Sequence, residues 1–357
     1  MSRALAHIAL FLVFSPAGAA DPAPVPRTAA KPATAVAESS LATGSGQIRQ
    51  FAFDGDPNTY FASEKNATKA DHFTLTFDTP VPVKSVRVAT GLPKGGAKLD
   101  AGVLEVSADG KAFEELAQFA DGAAHGAPKG KVKAVRVRPT DDLKHPLVIR
   151  EITVDADPRV AVFHHPIEFV VNVAAAPDMK EWANNAARVC ERQYPMICEE
   201  LASDGFAPLT VIQMTLRADY NGVAEAGGGR ITGSVKYFKA HPDDVGAMVH
   251  ETVHCVQMYR GRGNPGWLVE GVADYIRFFK YEATKPRPLP PERAKYDGSY
   301  RTSAAFLAFL ADTYDPQIVR KLNAAMRAGK YKEDVWKDLT GKPVEDLGRE
   351  WQKSLAK

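Results

Sequence analysis

Two histidines and a glutamate stand close together in the second half of the sequence. His250 and His254 are four residues apart, so in a helix both imidazole rings project from one face, one turn apart. This separation allows the two rings to bind a single zinc ion. Glu251 lies between them, where its carboxylate can accept a proton from an attacking water without being a metal ligand. The segment therefore predicts a catalytic zinc site with Glu251 as its general base.

Two further carboxylates follow in a second helical pattern, which begins at Trp267 after a Gly/Pro-rich loop. Glu270 and Asp274 are four residues apart and therefore share one helix face. In this interpretation Glu270 supplies the third metal ligand, and Asp274 accepts the second ring proton of a ligand histidine. Two histidines and one carboxylate leave the fourth position open, as in catalytic zinc sites. The alternative is an ordinary solvated helix face, which is disfavoured by the apolar flanking residues Leu268, Val269, Val272 and Ile276.

The region after Pro158 mixes helical and strand patterns and predicts an α+β domain over residues 158–357. Strands are predicted at 167–173 and 209–216, a helix at 179–194, and a Gly-rich turn entering a short strand at 227–235. The helix that carries the histidines is predicted to begin at Pro242, because proline suits the first helical position and two aspartates follow near the positive end of the helix dipole. The short strand over Arg230–Ser234 can hold an extended peptide by strand addition.

Residues 39–157 show a different pattern, in which apolar and polar residues alternate with period two. The apolar positions are Phe73, Leu75 and Phe77, then Val86 and Val88, Val135 and Val137, and finally Leu147, Ile149, Ile152 and Val154. Turn signals such as Asp54-Gly55 and Asp109-Gly110 separate these runs. The pattern predicts an antiparallel β-sandwich that precedes the α+β domain.

The N-terminus has the layout of an export signal. Arg3 precedes a short apolar run at 8–14, and small residues lead to Ala20. Residues 1–20 are therefore predicted to be a cleavable secretory signal, with an uncleaved anchor as the alternative. Residues 21–38, rich in proline and alanine, are predicted to be a flexible linker. Because no later stretch is long and apolar enough to span a membrane, the mature protein is expected to be soluble and either secreted or periplasmic.

The composition is that of a globular protein, with 45% hydrophobic and 25% charged residues. Lysine and arginine number 45 against 43 for aspartate and glutamate, so the net charge gives no general attraction to nucleic acid. In an oxidising compartment Cys190 can pair with Cys198 if Pro195 breaks the helix between them. The remaining cysteine, Cys255, is interpreted as buried packing beside the predicted zinc site.

The stretch HETVHCVQMYRGRGNPGWLVEGVADYIR resembles the signature of the plant and bacterial basic secretory protein-type peptidases, and the resemblance extends over about residues 160–355. The order of the ligands is also similar to that of gluzincin metallopeptidases. The resemblance implies a zincin-like domain with one catalytic zinc ion that hydrolyses protein or peptide substrates. It also places a tyrosine near Tyr300, which is our candidate donor to the oxyanion, with Tyr296 and Tyr275 as alternatives.

The loop DGDPNT at residues 54–59, followed by two aromatic residues, resembles that of a discoidin (coagulation factor 5/8 type C) domain over about residues 40–155. The resemblance implies a galactose-binding-like jelly roll that serves as a targeting module for glycans, lipid head groups or proteins. It also implies a calcium ion held by Asp56, Thr59 and Glu151, whose hard oxygen atoms suit that ion. An ordinary turn is the alternative for this loop.

Two other functions use the same residues. An adhesin with a structural or inactive zinc domain has no need of a general base, so Glu251 between the ligands favours an enzyme. Hydrolysis of a non-peptide bond is the other alternative. His164 and His165 are interpreted as surface residues rather than as a second metal site. The sequence thus predicts an exported zinc metallopeptidase acting on a protein or peptide, including a glycoprotein or a cell-surface protein.

Overall fold

The structure is a computed structural model that describes residues 31–259, 263–283 and 289–356. The predicted secretory signal, and the linker as far as residue 30, lie outside the described residues. Within the described ranges, no helix is long and apolar enough to cross a membrane.

The first half of the described chain is an antiparallel β-sandwich, which confirms the predicted fold. Its elements are β1 (Ala35–Ser39), a 3₁₀ helix (Arg49–Phe53), β2 (Phe61–Asn66), β3 (Phe73–Thr90), β4 (Gly102–Ser107), β5 (Glu114–Gln118), β6 (Ala123–Gly126), β7 (Lys131–Pro139) and β8 (Pro146–Ala156). The long strand β3 passes through both layers. Its first half pairs with β1 and β7, and its second half pairs with β6 and β8.

The sandwich core follows the period-two pattern of the sequence. Phe73, Leu75 and Phe77 are buried on β3, and Thr74 and Thr76 between them are partly exposed. Alternate residues of a strand point to opposite faces, so this face of β3 meets the buried side chains of the other layer. Burial of these side chains stabilises the sandwich by the hydrophobic effect.

The boundaries of the sandwich differ from the predicted 39–157. The segment predicted as linker up to residue 38 contains most of β1, in which Ala35 pairs with Phe77 and Ser39 with Phe73. At the other end, Val160 is buried in the same core as β1. The linker prediction was wrong for this segment. Its alanines and valine show no clear strand pattern in the sequence, although in the structure they form β1 of the sandwich.

The second half is an α+β domain, as predicted. Its elements are β9 (Glu168–Asn172), α1 (Lys180–Glu200), β10 (Val211–Arg217), β11 (Ala224–Gly227), β12 (Arg230–Ser234), α2 (Val235–Ala240), α3 (Gly246–Gln257), α4 (Gly266–Tyr275), α5 (Tyr300–Thr313), α6 (Ile318–Arg327), α7 (Asp334–Thr340) and α8 (Val344–Leu355). A π-helical segment, Ile276–Tyr281, continues α4. The sheet order is β11-β12-β10-β9, in which β12, β10 and β9 are parallel and β11 is antiparallel to β12.

Helix α1 contradicts the predicted break at Pro195, because it runs through that residue from Lys180 to Glu200. Tyr194 and Cys198, on either side of the proline, are buried in the core, and this packing outweighs the local effect of proline. Cys190 and Cys198 are both free. Eight residues of helix separate their backbones by about 12 Å, well beyond the span of a disulfide. The disulfide prediction was therefore wrong, whereas Cys255 is buried as expected.

Helix α3 begins at Gly246, four residues later than predicted. Asp244 does not remain free to interact with the helix dipole. Its carboxylate accepts a hydrogen bond from the Tyr237 hydroxyl at 2.7 Å and forms an ion pair with Arg277 on the π-helical segment. These tertiary contacts hold residues 242–245 in a turn, which explains why the proline-aspartate signal misplaced the start of the helix.

A buried cluster of charged side chains joins the sandwich to the α+β domain. Arg49 Nη2 lies 3.0 Å from Glu191 Oε1, and Arg49 Nε lies 3.3 Å from Glu168 Oε1. The Thr43 hydroxyl and the Arg49 backbone N–H also donate to Glu168. Arg188 forms a second ion pair with Glu191. Burial raises the pKa of Glu191, and the charges of Arg49 and Arg188 oppose that rise.

Candidate metal centre

Helices α3 and α4 bring three ligand-type side chains to one point. His250 Nε2 and His254 Nε2 lie 3.1 Å apart, because the two residues are one helical turn apart on α3. Glu270 Oε2 on α4 lies 3.2 Å from His250 Nε2 and 3.4 Å from His254 Nε2. Among the described residues, these three form the group whose histidine, cysteine, aspartate or glutamate atoms are close enough to hold a metal ion. His164, interpreted from the sequence as a surface residue, is exposed, and His165 is partly exposed.

The triangle of donor atoms fits a zinc ion. Two ligands of a tetrahedral zinc site at about 2.05 Å from the ion are about 3.3 Å from each other. The three observed separations, 3.1, 3.2 and 3.4 Å, are close to that value. A triangle of this size matches one face of a tetrahedron, and an ion held by these three side chains would be reached from the cavity that they line.

Buried apolar residues fix the orientation of both helices. On α3, Val249, Val253 and Val256 are fully buried, and on α4 Leu268 and Val272 are fully buried. These residues anchor one side of each helix in the core, so the polar side of α3 must face the polar side of α4. The repeat of apolar residues in the sequence thereby sets the position of the ligands.

Asp274 fixes the orientation of His250. Its Oδ1 lies 2.7 Å from His250 Nδ1, and only 4% of Asp274 is exposed. An aspartate accepts the hydrogen bond, so the Nδ1 position carries the proton and Nε2 is left to face the centre of the triangle. The sequence predicted this contact from the four-residue spacing between Glu270 and Asp274.

Gln257 performs the equivalent task for His254, and the sequence analysis missed it. The His254 Nδ1–H donates to Gln257 Oε1 at 2.7 Å, and the Gln257 amide donates to the Val269 carbonyl at 2.9 Å. Gln257 is 1% exposed. A polar residue three positions after His254 was the available signal, but its partner carbonyl belongs to a different helix.

The site favours positive charge at its centre. Burial lowers the pKa of His250, but the hydrogen bonds to Asp274 and Glu270 outweigh it and raise that pKa to about 9. Burial raises the pKa of Glu270, but the hydrogen bonds to His250 and His254 lower that pKa to about 2. Both shifts reflect the mutual attraction between the imidazole rings, which become positively charged on protonation, and the neighbouring carboxylates.

Glu251 faces the same cavity and is nearly inaccessible. It is 8% exposed, and burial raises the pKa of its carboxyl group. The charges of His250 and His254 oppose this rise, and that of Glu270 adds to it. A carboxyl group whose pKa is raised toward neutrality is a better proton acceptor at neutral pH than an ordinary glutamate.

The three candidate tyrosines occupy different environments. Tyr300, at the start of α5, lines the cavity of about 1060 Å³ that contains the histidines, and its ring stacks on His250 with centroids 6.3 Å apart. The charge of Glu270 and, next, burial raise the pKa of Tyr300, which keeps its hydroxyl a donor. Tyr275 is buried. Tyr296 packs edge-on against Trp267 with ring centroids 5.4 Å apart, away from the cavity.

The backbone around Tyr300 adopts an unusual conformation. Ser299 and Tyr300 have φ angles of +67° and +48°, in the left-handed region that residues other than glycine rarely enter. The buried Ser303 hydroxyl holds this corner, since it accepts from the Ser299 N–H at 3.0 Å and donates to the Tyr296 carbonyl at 2.7 Å. Strained residues that are held in this way occur often at functional sites.

The strand that borders the cavity is β11, not the predicted Arg230–Ser234. That segment, β12, pairs with β10 on one side and β11 on the other, so its backbone is not free. The Ser234 N–H donates to the Val223 carbonyl, and in an antiparallel ladder such bonding alternates along the strand. Ala224 and Ala226 consequently direct their backbone groups to the open edge. The prediction was wrong because sheet order cannot be read from a single strand.

The carboxylates at the loop predicted to bind calcium lie near one another, and their negative charges are not neutralised. Glu151 Oε2 is buried and has no hydrogen-bond partner among the described residues. Burial and the charges of Asp54 and Asp56 raise the pKa of Glu151 to about 8. The Thr59 hydroxyl donates to Asp54 at 2.9 Å, so Asp54 is a member of this cluster that the sequence analysis did not name. An orphaned carboxylate oxygen beside two aspartates suits a hard cation.

The chain is similar to one protein family and to several solved structures. A family model described as "BSP: Peptidase of plants and bacteria" matches residues 169–351. No curated protein matches the sequence.

Among solved structures, one match is CBM32-1 from a family 31 glycoside hydrolase of Clostridium perfringens, with 16% identity, a TM-score of 0.30, and coverage of 34% of this chain and 93% of that one. Another is a CBM32 domain from the same organism in complex with GalNAc-β-1,3-galactose, with 19% identity, a TM-score of 0.29, and coverage of 34% and 95%. The CBM32 of NanJ from that organism, in complex with galactose, matches at 12% identity and a TM-score of 0.28, with coverage of 34% and 92%.

Proposed function

The chain belongs to the BSP family of peptidases of plants and bacteria, and from this membership and the geometry of the site we propose that it is an exported, zinc-dependent metallopeptidase. The observation that carries the zinc dependence is the triangle formed by His250 Nε2, His254 Nε2 and Glu270 Oε2, whose edges are 3.1 to 3.4 Å long. Its open side faces a cavity large enough for several residues of an extended peptide.

His250, His254 and Glu270 would hold the ion, with Asp274 and Gln257 fixing the two imidazole rings. Bound there, Zn²⁺ supplies Lewis-acid chemistry that makes water a nucleophile at neutral pH. The carboxylate of Glu270 and the neutral histidines are the donor types that this ion prefers at catalytic sites.

Glu251 is the general base in this proposal. It lies on α3 between the two histidines, it faces the cavity, and burial raises its pKa. Its carboxylate takes a proton from the attacking water and then delivers that proton to the leaving amine. Because Glu251 supplies none of the three ligand atoms, it can be replaced without removing a metal ligand.

Tyr300 is the proposed donor to the oxyanion that forms when the peptide carbonyl is attacked. Its ring stacks on His250 on the cavity side, and its raised pKa keeps the hydroxyl protonated. A donor aimed at developing negative charge stabilises the transition state more than the ground state. Tyr220, which also lines the cavity, is the alternative donor.

The substrate is proposed to lie along β11. The outward backbone groups of Ala224 and Ala226 can pair with an extended peptide, which would extend the sheet by one strand over the metal centre. Pairing through the main chain accepts many sequences, so specificity must come from side chains of the cavity.

The sandwich is proposed to be a targeting module that carries a calcium ion near Asp56, Thr59 and Glu151. The partnerless Glu151 oxygen and the raised pKa of that carboxyl group support the calcium site. Export is proposed from the signal-like residues 1–20 of the sequence.

The test is hydrolysis of matched peptide, ester and glycan substrates by the full chain, before and after removal of zinc with a chelator. Peptide cleavage that disappears on chelation and returns with added zinc is the expected result. Cleavage of the esters or glycans alone would show that the substrate class is wrong. Zinc binding without hydrolysis of any substrate would instead support a binding protein with an inactive zinc domain.

A further inference from the structure

Glu225 stands on the strand that borders the metal cavity. It is exposed, and it lines the same cavity as Glu251 and His250. Its neighbours Ala224 and Ala226 pack against the core, so the Glu225 side chain projects from the opposite face of β11. A charged side chain in this position is not required by the fold.

Apart from the buried Glu251, the other acidic side chains of the cavity have ion-pair partners. Asp244 pairs with Arg277, and Asp274 with His250. Within the described part of the chain, Glu225 forms no ion pair, and Arg217, the basic residue whose pKa its charge affects, is paired with Asp219 instead. Glu225 therefore presents an uncompensated negative charge to whatever enters the cavity.

Glu225 and Tyr220 line the same cavity, beside the open edge of β11 along which a substrate is proposed to lie. Burial and, next, the charge of Glu225 raise the pKa of Tyr220, which lines the cavity just before β11. The Tyr220 hydroxyl is itself 3.3 Å from the Ala224 carbonyl, one of the groups at the open edge.

We propose that Glu225 selects substrates by binding a positively charged group, either a lysine or arginine side chain or a free α-amino group. The inference deepens the proposed peptidase function and rests on it. In a peptide paired with β11, the residue opposite Glu225 has its Cβ about 5 Å from that of Glu225, on the same face of the sheet. An ammonium or guanidinium group at that position meets the carboxylate directly.

A positively charged residue on α5 also lines the cavity and favours one orientation of the substrate. Arg301, exposed on α5, stacks on Phe278 at 3.8 Å from the ring centroid and lines the cavity. A substrate whose positive group faces β11 and whose negative group faces α5 matches this polarity, whereas the reversed substrate places like charges together.

The experiment measures kcat/KM of the zinc-loaded full chain on a fluorogenic peptide series. Within this series, one position of the peptide carries lysine, norleucine or glutamate in turn. Each peptide is made both with a free and with an acetylated N-terminus. The variants are Glu225→Gln, Glu225→Lys and the control Glu181→Gln, which changes an exposed glutamate on α1 outside the cavity. Zinc content and melting temperature are recorded for each, so that a misfolded variant is recognised.

The wild type and Glu181→Gln are expected to prefer the positive group over its neutral counterpart by about fivefold, the upper range for an exposed ion pair. The preference should appear mainly in KM and weaken with added salt. It should vanish in Glu225→Gln and reverse toward glutamate in Glu225→Lys. A lysine effect identifies a side-chain ligand, and an effect of acetylation identifies the α-amino group.

The proposal is overturned if the wild type cleaves the series without charge preference, or if Glu225→Gln keeps the full preference. Either result leaves the peptidase function intact. Failure to cleave any peptide, with zinc bound, overturns both the peptidase function and this inference.

Discussion

Each of the two histidines depends on a different neighbour for its orientation. The carboxylate of Asp274 bonds to His250, and the neutral amide of Gln257 bonds to His254. A charged acceptor makes the ring a stronger metal ligand than a neutral acceptor does. The two contacts should therefore contribute unequally to metal binding.

Replacing Asp274 with asparagine should weaken zinc binding by about 10- to 100-fold, because the acceptor that fixes His250 loses its charge. Gln257→Ala should weaken it less. Competition with a chromophoric chelator measures both affinities, with Asp334→Asn, an exposed aspartate on α7, as the control. Equal affinities of wild type and Asp274→Asn would contradict the role given to this contact.

Replacing Tyr300 with phenylalanine should lower kcat by about 10²- to 10³-fold and change KM little, because the hydroxyl acts on charge that develops in the transition state. Tyr296→Phe is the matched control, since that ring packs against Trp267 away from the cavity. Steady-state kinetics on one peptide separates the two parameters. Full activity in Tyr300→Phe, together with a loss of activity in Tyr220→Phe, would identify Tyr220 as the donor to the oxyanion.

The sequence alone predicts the residues of the metal group, because helical spacing places His250 and His254 on one face. It could not name Gln257, whose partner is the carbonyl of Val269 on another helix. It also did not decide which of three tyrosines donates to the oxyanion, because the distance from a tyrosine to the cavity depends on how α5 packs. Helical spacing predicted the shared face of His250 and His254 and that of Glu270 and Asp274, whereas the contact of Gln257 with the Val269 carbonyl depends on how α3 packs against α4.

At the scale of elements, local rules failed where burial opposed them. Pro195 should end a helix, yet α1 continues because Tyr194 and Cys198 pack into the core. The open edge of the sheet was assigned to β12 instead of β11, because the order β11-β12-β10-β9 depends on pairing across the chain. The α+β and sandwich folds themselves followed from periodicity, which reports burial directly.

The loop before β2 and the strand β8 should respond together to pH and calcium. Burial and the charge of Asp54 raise the pKa of Glu151 to about 8 in the fold, from an ordinary value of 4.5. The folded chain thus binds one proton more than the unfolded chain between these values. By linkage, the contribution of Glu151 to the free energy of unfolding without calcium is highest below about pH 4.5. It falls as the pH rises toward 8.

Glu151→Gln should remove this fall, since the amide cannot ionise. Calcium at about 1 mM should raise the melting temperature of the wild type at pH 8 and leave Glu151→Gln unchanged. Thermal melts at pH 5 and pH 8, with calcium or with a chelator, provide the comparison. An equal response of both proteins to calcium would exclude Glu151 as a ligand.

At the scale of the whole molecule, a buried charge cluster joins the sandwich to the α+β domain. Replacing Arg49 with alanine removes the positive charge shared by Glu168 and Glu191, whose side chains are 10% and 5% exposed. Breaking a buried pair in this way costs about 3 kcal/mol of the free energy of unfolding.

Urea denaturation should detect this loss in Arg49→Ala. The exposed Arg217→Ala, which breaks only the surface pair with Asp219, should change stability by less than about 0.5 kcal/mol. Equal stability of the two variants would mean that the cluster does not hold the domains together.

The measurement that tests the central claim most directly is cleavage of casein by the wild-type chain and by Glu251→Gln, with zinc content determined in both. We predict that the wild type cleaves, and that the variant loses nearly all activity while it still holds one equivalent of zinc, because Glu251 is not a ligand. Cleavage by the variant at the wild-type rate would contradict the assignment of Glu251 as general base. Absence of cleavage by a wild type that holds zinc would contradict the proposed peptidase function itself.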